Sequence, residues 1–294
     1  MTRAAPPHRL VYLGTPEIAV PPLRTLADAG FEIALVVTRV DKRRGRGSQL
    51  MPSPVKAAAI EMGLAVSHSV DDVLGVDAEL GVVVAFGQLI KPHVLAGVPM
   101  INLHFSLLPR WRGAAPVERA LLAGDDETGV CLMQLEEGLD TGPVYRCEVV
   151  PIGETTTAAE LRADLVDTGT RMLVTELRAG LDVPQPQSGD PTYAAKIQPD
   201  ELRIDWTRSP VELDRLVRLG GAWTTLHGKR LRIVAAELAD AAGPSSNALR
   251  SDRIGGLRLL TVQPEGKSAM PFEAFARGAR LAEIEELGEP SAPR

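Results

Sequence analysis

Asn102 and His104 stand two residues apart in the otherwise apolar run Ile101–His104, and a carboxylate, Asp140, follows within Gly138-Leu139-Asp140-Thr141-Gly142. Side chains of an extended chain alternate faces, so Asn102 and His104 share one face while Ile101 and Leu103 take the other. An amide N–H beside an imidazole can stabilise the oxyanion of a tetrahedral carbon. A carboxylate that orients the ring and favours its charged form adds a route for protons. Acyl-group transfer is the chemistry implied. The bland alternative is a capping Asn, a core His and an Asp held in a turn. A Ser-His-Asp triad through Ser106 is disfavoured, since no Gly-x-Ser-x-Gly elbow occurs and Ser106 follows His104 too closely.

Two basic segments lie near this strand in sequence. Arg39-Val40-Asp41-Lys42-Arg43-Arg44-Gly45-Arg46-Gly47 reads either as a solvated loop or as a set of guanidiniums for phosphates. Arg110 and Arg112 flank Trp111, a basic-plus-aromatic pattern suited to nucleic acid, although Trp111 can equally be a packing anchor. Gly14-Thr15-Pro16 is not a dinucleotide fingerprint, and no metal-ligand spacing occurs.

The elements that must position these groups follow from the apolar pattern. Leu10–Leu13, Ile33–Thr38, Leu80–Ala85 and Met100–His104 read as buried strands separated by helical stretches, which predicts an α/β domain with a mostly parallel sheet. Strands over 128–135 and 143–150, a helix after Pro116 and a helix over 156–180 complete it. Residues 1–183 are therefore expected to form the catalytic domain. The Pro/Gln-rich stretch 184–199 is expected to be a linker, and 200–294 a small, mostly β domain.

Composition is that of an ordinary globular chain, 294 residues with 45% apolar and 24% charged, and the net charge of −6 argues against a nonspecific nucleic-acid binder. That excess acid lies almost wholly in the first two-thirds, leaving the last third neutral with basic clusters such as Gly228–Arg232. Cys131 and Cys147 are too few for a disulfide framework and are expected to be packing residues. No apolar run reaches membrane-spanning length and the first residues lack a signal-peptide core, so a cytoplasmic enzyme is expected.

Taken together, Gly14–Pro16, Gly45–Gly47, Leu50–Lys56, Val84–Gly87, Asn102–Pro116 and Glu137–Gly142 resemble the folate-dependent formyltransferases. The basic loop with Met51-Pro52-Ser53-Pro54-Val55-Lys56, and Arg110–Pro116, are similar to the branch that formylates methionyl-tRNA. Ala222–Thr225, Gly228–Arg230 and Val262–Lys267 resemble its C-terminal domain.

The resemblance implies a Rossmann-like formyltransferase domain followed by a small β-barrel (OB-like) domain. It also implies 10-formyltetrahydrofolate as formyl donor and initiator methionyl-tRNA as acceptor. No metal and no obligate protein partner are expected, and the chain is expected to act as a monomer. Residue by residue it implies Asn102, His104 and Asp140 as catalytic. Ser106, Leu107, Leu108 and Pro109 would contact folate, with Val84, Ala85, Phe86, Gly87 and Gln88 and Leu135, Glu137, Gly138 and Leu139 walling its pterin. Arg39, Lys42, Arg43, Arg44, Arg46, Arg110 and Arg112 would face tRNA. The chain departs from the family pattern at three places. Val98–Ile101 is short before Asn102, Leu219–Gly221 is reduced, and 240–256 is shortened, so the barrel is expected to be truncated. An amino-sugar nucleotide as acceptor, a formylfolate hydrolase, and a silent RNA- or folate-binding protein on this scaffold stay open as alternatives.

Overall fold

A computed structural model of the chain describes residues 3–43, 50–239, 247–282 and 284–288. The chain divides into two compact units: 1–117 with 126–152 and 161–195, and 118–125 with 153–160 and 196–294.

The first unit is built on seven strands: β1 (Arg9–Gly14), β2 (Glu32–Val37), β3 (Val66–Ser67), β4 (Leu80–Val84), β5 (Met100–His104), β6 (Glu127–Gln134) and β7 (Val144–Pro151). Their order across the sheet is β7-β6-β5-β4-β1-β2-β3. The pairs from β3 to β5 are parallel, whereas β5–β6 and β6–β7 are antiparallel. A strand buried on both faces carries a continuous apolar run, and Leu10–Leu13 and Val82–Val84 do so. On one face Leu10, Tyr12, Val82, Ile101, Leu103 and Leu132 pack with Leu23 and Leu26 of α1 (Val20–Asp28) and Val55 of α2 (Pro54–Glu61). On the other, Val11, Leu13, Val83 and Met100 pack with Val94 of α3 (Pro92–Gly97). Period-two alternation along β5 therefore sends Asn102 and His104 to this second face.

Cys131 and Cys147, expected as packing residues, are opposite each other across β6 and β7 and are joined as a disulfide. The register that brings them together exists only once the two strands pair.

Residues 184–199, expected as a linker, belong to the first unit up to Ala195. Gln185 bridges to Val144 in both directions at 2.8 Å, and Tyr193–Ala194 pairs in parallel with Arg112–Gly113. Proline and glycine signal a chain without its own helix or strand period, not a chain without partners.

The second unit includes α4 (Pro210–Leu219), started by a reciprocal Ser209–Glu212 cap. Its antiparallel sheet comprises β8 (Trp223–Leu226), β9 (Lys229–Leu238), β10 (Ala248–Arg250), β11 (Arg253–Ile254), β12 (Leu257–Pro264), β13 (Met270–Pro271) and β14 (Ile284–Glu286). The order is β8-β9-β12-β11-β10-β14, with β13 paired to β12. Beyond β14 the Gly288 N–H donates to the Thr225 carbonyl of β8 at 2.9 Å, so the two ends of the sheet meet as in a small barrel. Of the stretch expected to truncate it, 248–256 supplies β10 and β11, and 240–246 lies outside the described residues. Among the described residues no helix is long and apolar enough to cross a membrane.

Candidate active site

β5 delivers Asn102 and His104 close to where the strand order reverses between β1 and β4, the usual crevice of open parallel sheets. Both are nearly buried, 9% and 5% exposed. The His104 Nε2 lies 3.0 Å from the Trp111 carbonyl, which can only accept, so Nε2 carries a proton. Its Nδ1 faces Asp140 Oδ2 at 3.6 Å, beyond hydrogen-bond length but within reach of an ion pair. Both ring nitrogens thus face oxygen atoms, Nε2 within hydrogen-bond length and Nδ1 beyond it. The Asn102 carboxamide makes no hydrogen bond among the described residues, so its N–H is free to meet a ligand.

Asp140 reaches His104 from the loop between β6 and β7. Its Oδ2 accepts the Gly113 N–H at 2.7 Å, and its backbone is left-handed, with φ 50°. That conformation is costly without glycine and needs outside support. Gln187 supplies it: Nε2 donates to the carbonyls of Asp140 and Gly142, both at 2.8 Å. On its other side, Gln187 Oε1 accepts from Arg112 Nε at 3.1 Å and Nη2 at 2.6 Å. Thr192 Oγ1 accepts the Trp111 N–H at 2.8 Å and so holds the backbone whose carbonyl faces His104. Neither Gln187 nor Thr192 was expected from the sequence. The only available signal was their presence in a polar stretch too short of glycine to be a free tether.

The expected folate segment begins at Ser106, fully buried, whose hydroxyl donates to the Arg110 carbonyl at 2.6 Å. A proton committed to backbone does not suit a nucleophile. Leu107, Leu108 and Pro109 are half-buried beside it. After buried Val84, Ala85 (φ 45°) and Gly87 (φ 69°) turn the chain sharply, and Thr15 Oγ1 donates to the Phe86 carbonyl at 3.0 Å. Phe86 points into the core, while Gly87 and Gln88 are exposed. Leu135 is half-buried, and Glu137, Gly138 and Leu139 are exposed, Leu139 by 60%.

The expected phosphate-facing cations differ in placement. The Arg39 guanidinium lies against Gly87, with Nη1 3.9 Å from where a Cβ would sit. Lys42–Arg43 pairs with Leu50–Met51 in a short antiparallel ladder, and Arg43 is exposed. Arg44 and Arg46 lie outside the described residues. Arg110 stacks over the Trp111 ring, 4.4 Å from its centroid. Arg112 is engaged by Gln187 rather than free for a phosphate. The cavities of about 630 and 340 Å³ in the second unit contain none of the residues expected at the site.

The family model described as "Formyl transferase" matches residues 8–177, and that described as "Formyl transferase, C-terminal domain" matches residues 196–280. The chain belongs to the formyl transferase family. The methionyl-tRNA formyltransferase of Roseobacter denitrificans is 43% identical, over 93% of this chain and 96% of its own. That of Dinoroseobacter shibae is 42% identical, over 93% and 98%. Among solved structures, the N-formyltransferase of Helicobacter canadensis, in complex with folinic acid and dTDP-3-aminofucose, superposes with a TM-score of 0.63. It is 16% identical over 87% of this chain and 98% of that one, a likeness of fold. For a formyltransferase the reacting centre is a formyl carbonyl, and a free amide N–H beside an imidazole suits it.

Proposed function

We infer that this formyltransferase moves the formyl group of 10-formyltetrahydrofolate to the α-amino group of initiator methionyl-tRNA. The observation that carries this reading is the 42–43% identity, across 93% of the chain and so across both units, to relatives named for that activity. The group formed by buried Asn102 and His104 with half-buried Asp140 supports it from the chemistry.

A free α-amine titrates near ~7.7, so a useful fraction is neutral at neutral pH and a strong base is not the scarce component. The barrier lies in the oxyanion and in expelling an amine. Asn102 donates its N–H to the formyl oxygen as charge develops there; one such donor contributes about 3–4 kcal/mol to lowering a barrier. His104, on the same face of the strand, sets its imidazole beside the same oxygen as a second polar partner. Asp140 holds the ring and receives, directly or through water, the proton released as the new N–C bond forms. The bond from the formyl carbon to N10 then breaks, and N10 takes up a proton.

Incubating the protein with 10-formyltetrahydrofolate and either charged initiator tRNA or an amino-sugar nucleotide tests the reading. Formylated methionyl-tRNA, lost steeply as salt rises, is the expected product. Formylation of the sugar alone, or free formate released without an acceptor, would replace it.

A further inference from the structure

We propose that Lys56 is a positioning residue that fixes the base of the basic arm, residues 39–43 and 50–51, with Arg39 against Gly87, and is not a cation offered to the acceptor. The proposal rests on the tRNA reading above. By composition Lys56 belongs with the arm's other cations, but its ammonium is already engaged. Nζ donates to Asp41 Oδ2 at 2.7 Å and to His68 Nε2 at 3.3 Å. His68 Nδ1 faces the Thr38 carbonyl at 2.9 Å, so Nδ1 carries the proton and Nε2 presents its lone pair to the ammonium. The Lys56 and Asp41 side chains are only 20% and 29% exposed, unlike solvated surface pairs of little consequence.

The same network ties together both ends of the arm. Thr38 follows β2, Ser53 caps α2 by accepting the Lys56 N–H at 3.0 Å, and their buried hydroxyls share a hydrogen bond of 2.7 Å. Asp41 lies on the outgoing limb and Lys56 just past the returning one. Arg39, one residue beyond Thr38, is thereby held against Gly87. An arm fixed at its base loses less conformational freedom when a polyanion docks, so the network should act on acceptor affinity.

Transfer by the wild-type protein to methionyl-tRNA comes first, since its absence overturns the acceptor reading by itself. With that activity present, Lys56→Met should raise KM for the acceptor about tenfold, with kcat and donor KM changed by less than about twofold. Asp41→Asn should do the same, and the double variant should add little, because both cut one link. Lys56→Arg, still able to pair with Asp41, should recover much of the loss. Additive effects, or Asp41→Asn without effect on acceptor KM, would overturn the proposal and make Lys56 a direct contact. Unfolding of Lys56→Met in a thermal melt, or a loss confined to kcat, would overturn it as well.

Discussion

Replacing Gln187 with glutamate isolates how Asp140 is held. Glutamate keeps the length of the side chain and the oxygen that Arg112 Nη2 reaches at 2.6 Å, and it adds charge to that contact. What it removes is the N–H pair that Gln187 directs at the Asp140 and Gly142 carbonyls, both at 2.8 Å. Each such bond contributes about 1 kcal/mol net, so losing two costs the turn about 2 kcal/mol before any repulsion between the new carboxylate and the carbonyls. The left-handed Asp140 backbone, φ 50°, pulls the same way, since strain of that kind is worth ~1–3 kcal/mol. A turn biased away from His104 by about 2–3 kcal/mol leaves Asp140 in place in about 3 per cent of molecules or fewer, so kcat should fall roughly 30- to 150-fold. Gln187→Ala should cost a similar factor in kcat and more in thermal stability, because Arg112 also loses its acceptor. Single-turnover formyl transfer at saturating donor and acceptor reads the effect, with a thermal melt alongside. Gln187→Glu with wild-type kcat would refute the idea that this side chain holds the catalytic turn.

Three further perturbations follow from the geometry. Asn102→Ala should lower kcat by about 10²–10³ with the fold intact, as loss of an oxyanion donor does; turnover near wild type would remove Asn102 from the chemistry. Gly129→Ala should destabilise by ~1–3 kcal/mol or more, because a Cβ there meets the Glu148 carbonyl and Leu107; a denaturant midpoint checks this. Tyr12 donates its hydroxyl to the Ala19 carbonyl at 2.6 Å in a fully buried site, and burial holds its ionisation well above the ordinary tyrosine value. The unfolded chain ionises first, so this contribution is complete below about pH 10 and is lost as pH rises through that range. Between pH 9 and 11 the melting temperature of Tyr12→Phe should therefore fall less than that of the wild type, and equal falls would refute the assignment.

The sheet and the faces of its strands were legible because burial imposes a period of two. Ile101 and Leu103 had to face helices, which left Asn102 and His104 to the opposite side. The strand–helix alternation up to β5 sufficed for the parallel part of the sheet, though not for the antiparallel β6 and β7, and the second unit's β character was visible in its short apolar runs. What escaped were contacts set by register and by distance along the chain. Cys131 and Cys147 look like two unrelated packing residues until β6 and β7 are aligned. Arg112 reads as a phosphate cation beside Trp111, yet its guanidinium is consumed by Gln187. The barrel closure through Gly288 and Thr225 spans more than sixty residues and runs through backbone hydrogen bonding, which leaves no trace in composition.

The misread linker carries the deeper point. A segment of Pro, Gln, Ser and Gly buries little apolar surface, so hydropathy alone assigns it no place. Its side chains nonetheless supply the donors and acceptors that the reacting loops lack. Gln187 satisfies the carbonyls of a left-handed turn, Thr192 satisfies the Trp111 N–H, and Ala194 pairs with the strand residue Gly113, whose N–H holds the Asp140 carboxylate. The imidazole and the carboxamide are aimed by the strand that bears them, and sequence periodicity reveals that. The carboxylate is aimed by the Gly113 N–H, and its turn is held by Gln187 some fifty positions downstream, through hydrogen bonds that have no period to read. A site assembled this way separates into a half written in hydropathy and a half written in polar satisfaction, and the second half is the one that brings Asp140 within 3.6 Å of His104.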